Sequence, residues 1–174
     1  MNNAATLEKM RSMKLLGMAH AFEGAMKAGI RSEYTPDELI AHLIESEYDD
    51  RYNRSLTRRL RLARMRHQAH FDEITFSVER DLNKPLLRRL NEVSWIQSAE
   101  NVIITGKTGA GKSFIACALG HSACVHGFRV RYWNCMKLFS ALKLAKADGS
   151  YQNEILRMAR QDVLILDDFG LEML

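Results

Sequence analysis

Apolar positions recur at helical spacing through the first part of the chain and give way to short apolar runs later. Leu7, Met10 and Met13 step by three, which predicts a short helix capped by Thr6. A second helix is expected through "LLGMAHAFEGAMKA", stopped by Gly29. The methionines and aromatics of these two helices read most simply as core. A third start is strong: Thr35 caps, Pro36 takes the first helical position and Glu38 closes a capping box. Leu39, Leu43 and Ile44, then Tyr48 and Tyr52, keep the helical period, so this helix is expected to reach past Arg66. Residues 71–100 read as a connector in which Pro85 opens a short helix, "LLRRLNEV", before Trp95 and Ile96.

From Asn101 the pattern changes. Val102–Ile104, "FRVRYW" and "DVLILDD" are short β-branched or aromatic runs that predict strands. Between them, Phe114 to Ala123 and "NCMKLFSALKLAKAD" predict helices. That alternation makes residues 101–174 an α/β nucleotide-binding core with a parallel sheet, behind an all-α domain over residues 1–70.

The chain has 174 residues, 47% apolar and 26% charged, as in ordinary globular proteins. No apolar run approaches a membrane span, and the N-terminus lacks a signal-peptide core, so a cytoplasmic protein is expected. Three cysteines suggest reduced thiols rather than a disulfide framework. The net charge is only +4, but the positive charge is clustered.

The sharpest chemistry lies in "GKTGAGKSF". Gly106, Gly111, Lys112 and Ser113 fit the phosphate-binding loop, between an expected strand and helix as the motif requires. Gly106, Lys107, Thr108, Gly109, Ala110, Gly111, Lys112, Ser113 and Phe114 are therefore the candidate ATP contacts. Loop amides and the helix N-terminus would wrap the phosphates. Lys112 would bridge the β- and γ-phosphates, as both binding and catalytic group, and Ser113 would ligate Mg²⁺. The bland alternative is a glycine-rich turn; the agreement of all motif positions and both flanks argues against it.

In "DVLILDDFG", four apolar residues run straight into Asp167 and Asp168. Carboxylates at the C-terminal end of a buried parallel strand stand where α/β ligands bind. Asp167 would hold the Mg²⁺ shell, and Asp168 would orient or polarise the attacking water.

Residues 51–66 read RYNRSLTRRLRLARMR, with seven arginines and no acid. Arg51, Arg54, Arg58 and Arg61 step by three and four and share a helix face; Arg59, Arg64 and Arg66 complete the cluster. Leu56, Leu60 and Ala63 form an apolar face. A basic stripe on a packed helix is the footprint of a DNA backbone contact. The competing reading is a solvated face paired with Glu45, Glu47, Asp49 and Asp50, which lie too far upstream to neutralise its C-terminal half. Cys117, His121 and Cys124 share spacing that suits a metal, but a face buried against the sheet explains them better.

Taken together, "LEKMRSMKLLGMAHAF", "NRSLTRRLRLARM", "ENVIITGKTGAGKSFIACALG" and "DVLILDDFG" resemble the IstB family, helper ATPases of bacterial insertion sequences. These belong to the AAA+ class of P-loop NTPases and are close to the DnaC helicase loaders. The resemblance covers essentially the whole chain, and its N-terminal pattern points to IstB in particular. It implies an ATP- and Mg²⁺-dependent homo-oligomer on double-stranded DNA that delivers target DNA to a cognate transposase. A helicase loader and a non-hydrolysing DNA- or partner-binding fragment are the alternatives.

The chain departs from the family pattern in two ways. It stops at "FGLEML", with no position matching a polar sensor, an arginine finger or a C-terminal sensor arginine. Asp168 also stands where many AAA+ proteins have glutamate. The implied strand order is 5-1-4-3-2, so strands 101–105 and 162–167 would flank an open slot and leave the parallel-sheet core incomplete.

Overall fold

The computed structural model describes residues 3–27, 34–77 and 82–170. Packing divides the chain into two compact units, Met1–Thr57 and Arg58–Leu174. The division falls inside a helix, ahead of the residue-70 boundary expected from sequence.

The first unit holds α1 (Asn3–Ser12), α2 (Leu16–Lys27) and the first part of α3 (Pro36–Ala63). Thr6 lies within α1 rather than capping it, because the strong helix formers Ala4 and Ala5 carry the helix back to Asn3. Gly29 lies outside the described residues. The capping box of α3 forms as expected. Thr35 N–H donates to Glu38 Oε2 at 2.7 Å, and Glu38 N–H donates to Thr35 Oγ1 at 3.3 Å.

Helices α2 and α3 meet backbone to backbone at Gly17, where a Cβ would stand 2.3 Å from Ser46 O and 2.9 Å from Glu47 Cα. Glu47 beside it is only 6% exposed. It accepts from Met18 N–H at 3.2 Å and from Arg51 Nε at 2.6 Å, so its carboxylate serves the α2 N-terminus. Burial pushes its pKa up, but those bonds outweigh burial and hold it below the usual range.

α3 stops at Ala63, short of the expected Arg66, and Arg64 turns left-handed at φ +50°. The stop is tertiary: Arg131 Nη1 donates to Leu62 O at 2.9 Å, satisfying a terminal carbonyl of the helix.

The second unit also contains α4 (Lys84–Asn91), α5 (Ser94–Gln97), α6 (Lys112–Val125), β1 (Val130–Asn134), α7 (Cys135–Asp148), α8 (Tyr151–Ala159) and β2 (Val163–Asp167). Helix α6 is its centre. Ile115, Cys117, Ala118 and Leu119 are buried among Ala69, Ile74, Leu87 and Tyr132. The expected connector therefore contributes core residues. Asn83 caps α4 by accepting from Leu86 N–H at 3.0 Å. Ser122 Oγ on α6 donates to Asn91 Oδ1 at 2.5 Å. A Cβ on Gly120 would lie 2.7 Å from Ile165 Cδ1, so α6 approaches the sheet more closely than alanine permits without movement.

β1 and β2 pair in parallel, from Val130 opposite Val163 to Asn134 opposite Asp167. Among the described residues this is the whole sheet. Val102–Ile104, expected as a strand, carries no ladder, and Ile103 is 85% exposed. A strand needs a neighbour to take its backbone bonds, and among the described residues none pairs with this one. No described helix is long and apolar enough to cross a membrane.

Candidate nucleotide-binding site

The loop over residues 106–113 leads into the N-terminus of α6. Gly111 sits directly before the helix at φ +89°, a left-handed conformation that glycine adopts without strain. It aims the first N–H groups of α6, which have no intrahelical partners, back toward the loop. Ala110 N–H donates to Lys107 O at 3.2 Å and closes the turn. Lys112 folds over it, with Nζ 2.9 Å from both Gly106 O and Lys107 O. Residues 106–110 are exposed. Phe114 packs against the core, which leaves its backbone as the part that can face a phosphate.

The carboxylates stand at the end of β2. Asp167 Oδ2 accepts from Tyr132 Oη at 2.5 Å and pairs with Arg66 Nη1 at 3.5 Å. The Ser113 side chain lies near enough to this carboxylate to help hold its pKa down. Burial pushes the Asp167 pKa up; the bonds from Tyr132 and the Asp168 N–H, together with Ser113 and the Arg66 charge, hold it below the usual range. The tyrosine is driven the opposite way: burial first, then its bond to Asp167, raises its pKa. Asp168 is left-handed at φ +57°, a region aspartate tolerates, and accepts from Asn134 Nδ2 at 2.7 Å.

Ser113 and Asp167, 54 residues apart, thus place two hard oxygen donors side by side next to a helix N-terminus. That donor chemistry suits Mg²⁺ bound with a polyphosphate.

The family described as IstB-like ATP binding protein matches residues 8–174. The chain belongs to that family. A relative from Sinorhizobium fredii, named as an insertion-sequence ATP-binding protein, is 40% identical over 97% of this chain and 69% of its own length. The ATP-binding protein of insertion sequence IS1162 from Pseudomonas fluorescens is 34% identical over 97% of this chain and 74% of its own. One from a Mycobacterium tuberculosis insertion sequence is 33% identical over 93% and 64%. The fold is the P-loop NTPase fold of IstB proteins, and nucleotide binding is the family's shared property.

This IstB-like chain distributes its seven arginines among different tasks. Arg51 pairs with Glu47 at 2.6 Å, and Arg54 with Asp50 at 2.7 Å. Arg59, half-buried, donates from Nε to Cys124 O at 2.8 Å near the end of α6. Arg66 belongs to the carboxylate cluster. Arg58, Arg61 and Arg64 are exposed and have no ion pair among the described residues. Tyr132 and Asn134 were not anticipated as site residues, although both hold the Asp-Asp pair.

Cys117 and Cys124 are fully buried on α6, as a sheet-facing helix side requires, and Cys135 is also buried. Burial raises the thiol of Cys117, and that of Cys124 to about 11. His121 packs edge-on against His70 at 4.2 Å between ring centroids.

Proposed function

We propose that this chain binds ATP with Mg²⁺ through the 106–113 loop and Asp167, and binds DNA phosphates through the exposed arginines Arg58, Arg61 and Arg64. In this reading it is a helper of insertion-sequence transposition, assembling on target DNA and delivering it to the transposase. The observation that carries the reading is the loop geometry ahead of α6, with Gly111 left-handed at φ +89° and Lys112 Nζ folded over Gly106 O and Lys107 O.

Each residue then has a task. Amides of residues 108–113 bind the phosphates, and Lys112 exchanges two neutral carbonyls for charged phosphate oxygens. Ser113 and Asp167 would hold Mg²⁺, which supplies charge neutralisation between phosphates. Asp168, steadied by Asn134, would orient a water. The names of the relatives, ATP-binding proteins of insertion sequences, support the nucleotide and transposition parts of the reading.

The test is a nucleotide titration with and without Mg²⁺. Lys112→Ala should weaken ATP binding by about tenfold or more, as loss of a charge-assisted contact does. Asp167→Asn should remove mainly the Mg²⁺-dependent part. Unchanged affinity in Lys112→Ala would exclude the loop as the ATP site.

A further inference from the structure

Beside the nucleotide site, the segment after α3 and the C-terminal end of β1 enclose a cleft of about 740 Å³. Four cations line it, Arg64, Arg66, Arg131 and Lys137, against one carboxylate, Asp168. Asn134 already engages that carboxylate. Arg131 lies 4.8 Å from the centroid of the Trp133 ring, which fixes its guanidinium against the aromatic face. The indole Nε1–H of Trp133 is buried and has no acceptor among the described residues. Burial, and then the like charge of Arg64, draw the Arg131 pKa down. Like charges held together beside an unanswered donor are suited to an anion that carries several acceptor oxygens.

We propose that this cleft binds a phosphodiester of a nucleic-acid strand and that Arg66 couples it to the nucleotide site. The proposal rests on the DNA-binding reading above and gives it a second contact, distinct from the α3 arginines Arg58 and Arg61. A free phosphate or nucleotide would offer the same oxygens. A strand is favoured because Arg64, which lines the cleft, follows the exposed Arg61 by three residues, so exposed cations continue from α3 into the lining, and because Trp133 lies in it.

The coupling follows from what Arg66 touches. Its Nη1 stands a long 3.5 Å from Asp167 Oδ2, and it also lines the cleft. A phosphate bound there competes for the guanidinium. As Arg66 turns to the phosphate, Asp167 loses a neighbouring cation and becomes a better ligand for a divalent ion. Binding linkage makes the effect reciprocal: Mg²⁺ with ATP frees Arg66 for the strand.

The experiment measures binding of a short fluorescent duplex and of ATP with Mg²⁺ to the whole chain and its variants. Lys137 is exposed, so Lys137→Glu reads the cleft with little risk to folding. Arg131→Gln is the second variant; because Arg131 also holds Leu62 O, its melt is checked. Lys137→Glu should weaken duplex binding, lower the slope of log affinity against log salt by about one unit, and leave ATP affinity without DNA unchanged. Duplex should tighten ATP binding in the parent chain, and both variants should lose that tightening.

Unchanged duplex affinity and slope in Lys137→Glu, with weakened binding in Arg58→Ala/Arg61→Ala, would overturn the cleft and leave the α3 contact standing. Failure of the parent chain to bind duplex would overturn both. Two nucleotides bound per chain, the second lost in Lys137→Glu, would assign the cleft to free nucleotide and overturn the strand proposal.

Discussion

Tyr132 donates its hydroxyl to Asp167 at 2.5 Å, from the strand parallel to the one that ends in that aspartate. The bond ties the position of that carboxylate to the packing of β1. Tyr132 is 9% exposed, and its ring belongs to the core around α6.

Tyr132→Phe keeps the ring and removes the bond. A hydrogen bond to a charged group contributes about 1.5–3 kcal/mol, and Asp167 keeps its other partners, so a loss of about 1–2 kcal/mol is expected. The folded-state pKa of Asp167 is depressed, so its stabilisation is present above the unfolded carboxylate range and lost as pH falls through the folded value. Urea melts of parent and variant should therefore differ at neutral pH and converge in strong acid. A difference that persists at low pH would show that the hydroxyl acts without the carboxylate.

Arg129 and Asp162 form a forked pair where β1 and β2 begin, with Nε at 3.0 Å and Nη2 at 2.8 Å from the two carboxylate oxygens. The bond from Arg129 holds the Asp162 pKa down against burial. Asp162→Asn should lower the urea midpoint at neutral pH, and the deficit should vanish as pH falls through the depressed Asp162 value. An unchanged midpoint at pH 7 would mark the pair as a solvated surface contact.

Two glycines should answer alanine differently. Gly17→Ala meets backbone atoms that cannot withdraw, so it should destabilise by about 1–3 kcal/mol despite better helix propensity. Gly120→Ala meets the tip of Ile165, which can rotate, and gains about 1 kcal/mol of propensity, so it should be nearly neutral. Gly120→Val should then cost clearly more. Equal losses for the two alanine variants, read from thermal melts, would contradict this account.

Arg58 and Arg61 supply the most direct test of DNA contact. Replacing both by alanine should lower the salt slope of DNA binding by about two units and weaken all sequences alike. Loss confined to one sequence would indicate base readout. An unchanged slope would leave them as solvated side chains.

The legible parts of this molecule are the local ones. The Thr35 capping box lies within four residues, and the phosphate loop lies within nine. Both were readable because their geometry is set by neighbouring residues. The end of α3 was not, because a side chain on β1 makes it. Nor was the missing ladder at Val102–Ile104: a β-branched run expresses a preference, while pairing depends on what lies alongside. Tyr132 left a usable trace. It stands two residues before Asn134, which is in register with Asp167, so Tyr132 and Asn134 share a strand face beside the carboxylates. The division of the arginines among capping, ion pairing and solvent was invisible in a run of like residues.

Cys117, Cys124 and Cys135 are the only thiols in the sequence, and all three lie buried in the unit that holds the candidate nucleotide site. They give the protein an internal clock. In the native state a thiol reagent meets neither an accessible sulfur nor, with Cys124 near 11, a useful fraction of thiolate. Labelling must wait until Arg58–Leu174 opens, while opening of Met1–Thr57 leaves no mark. Modification rate followed by mass therefore reports the opening free energy of one unit alone. If ATP with Mg²⁺ grips the loop and Asp167 together, it should slow that clock in proportion to its occupancy.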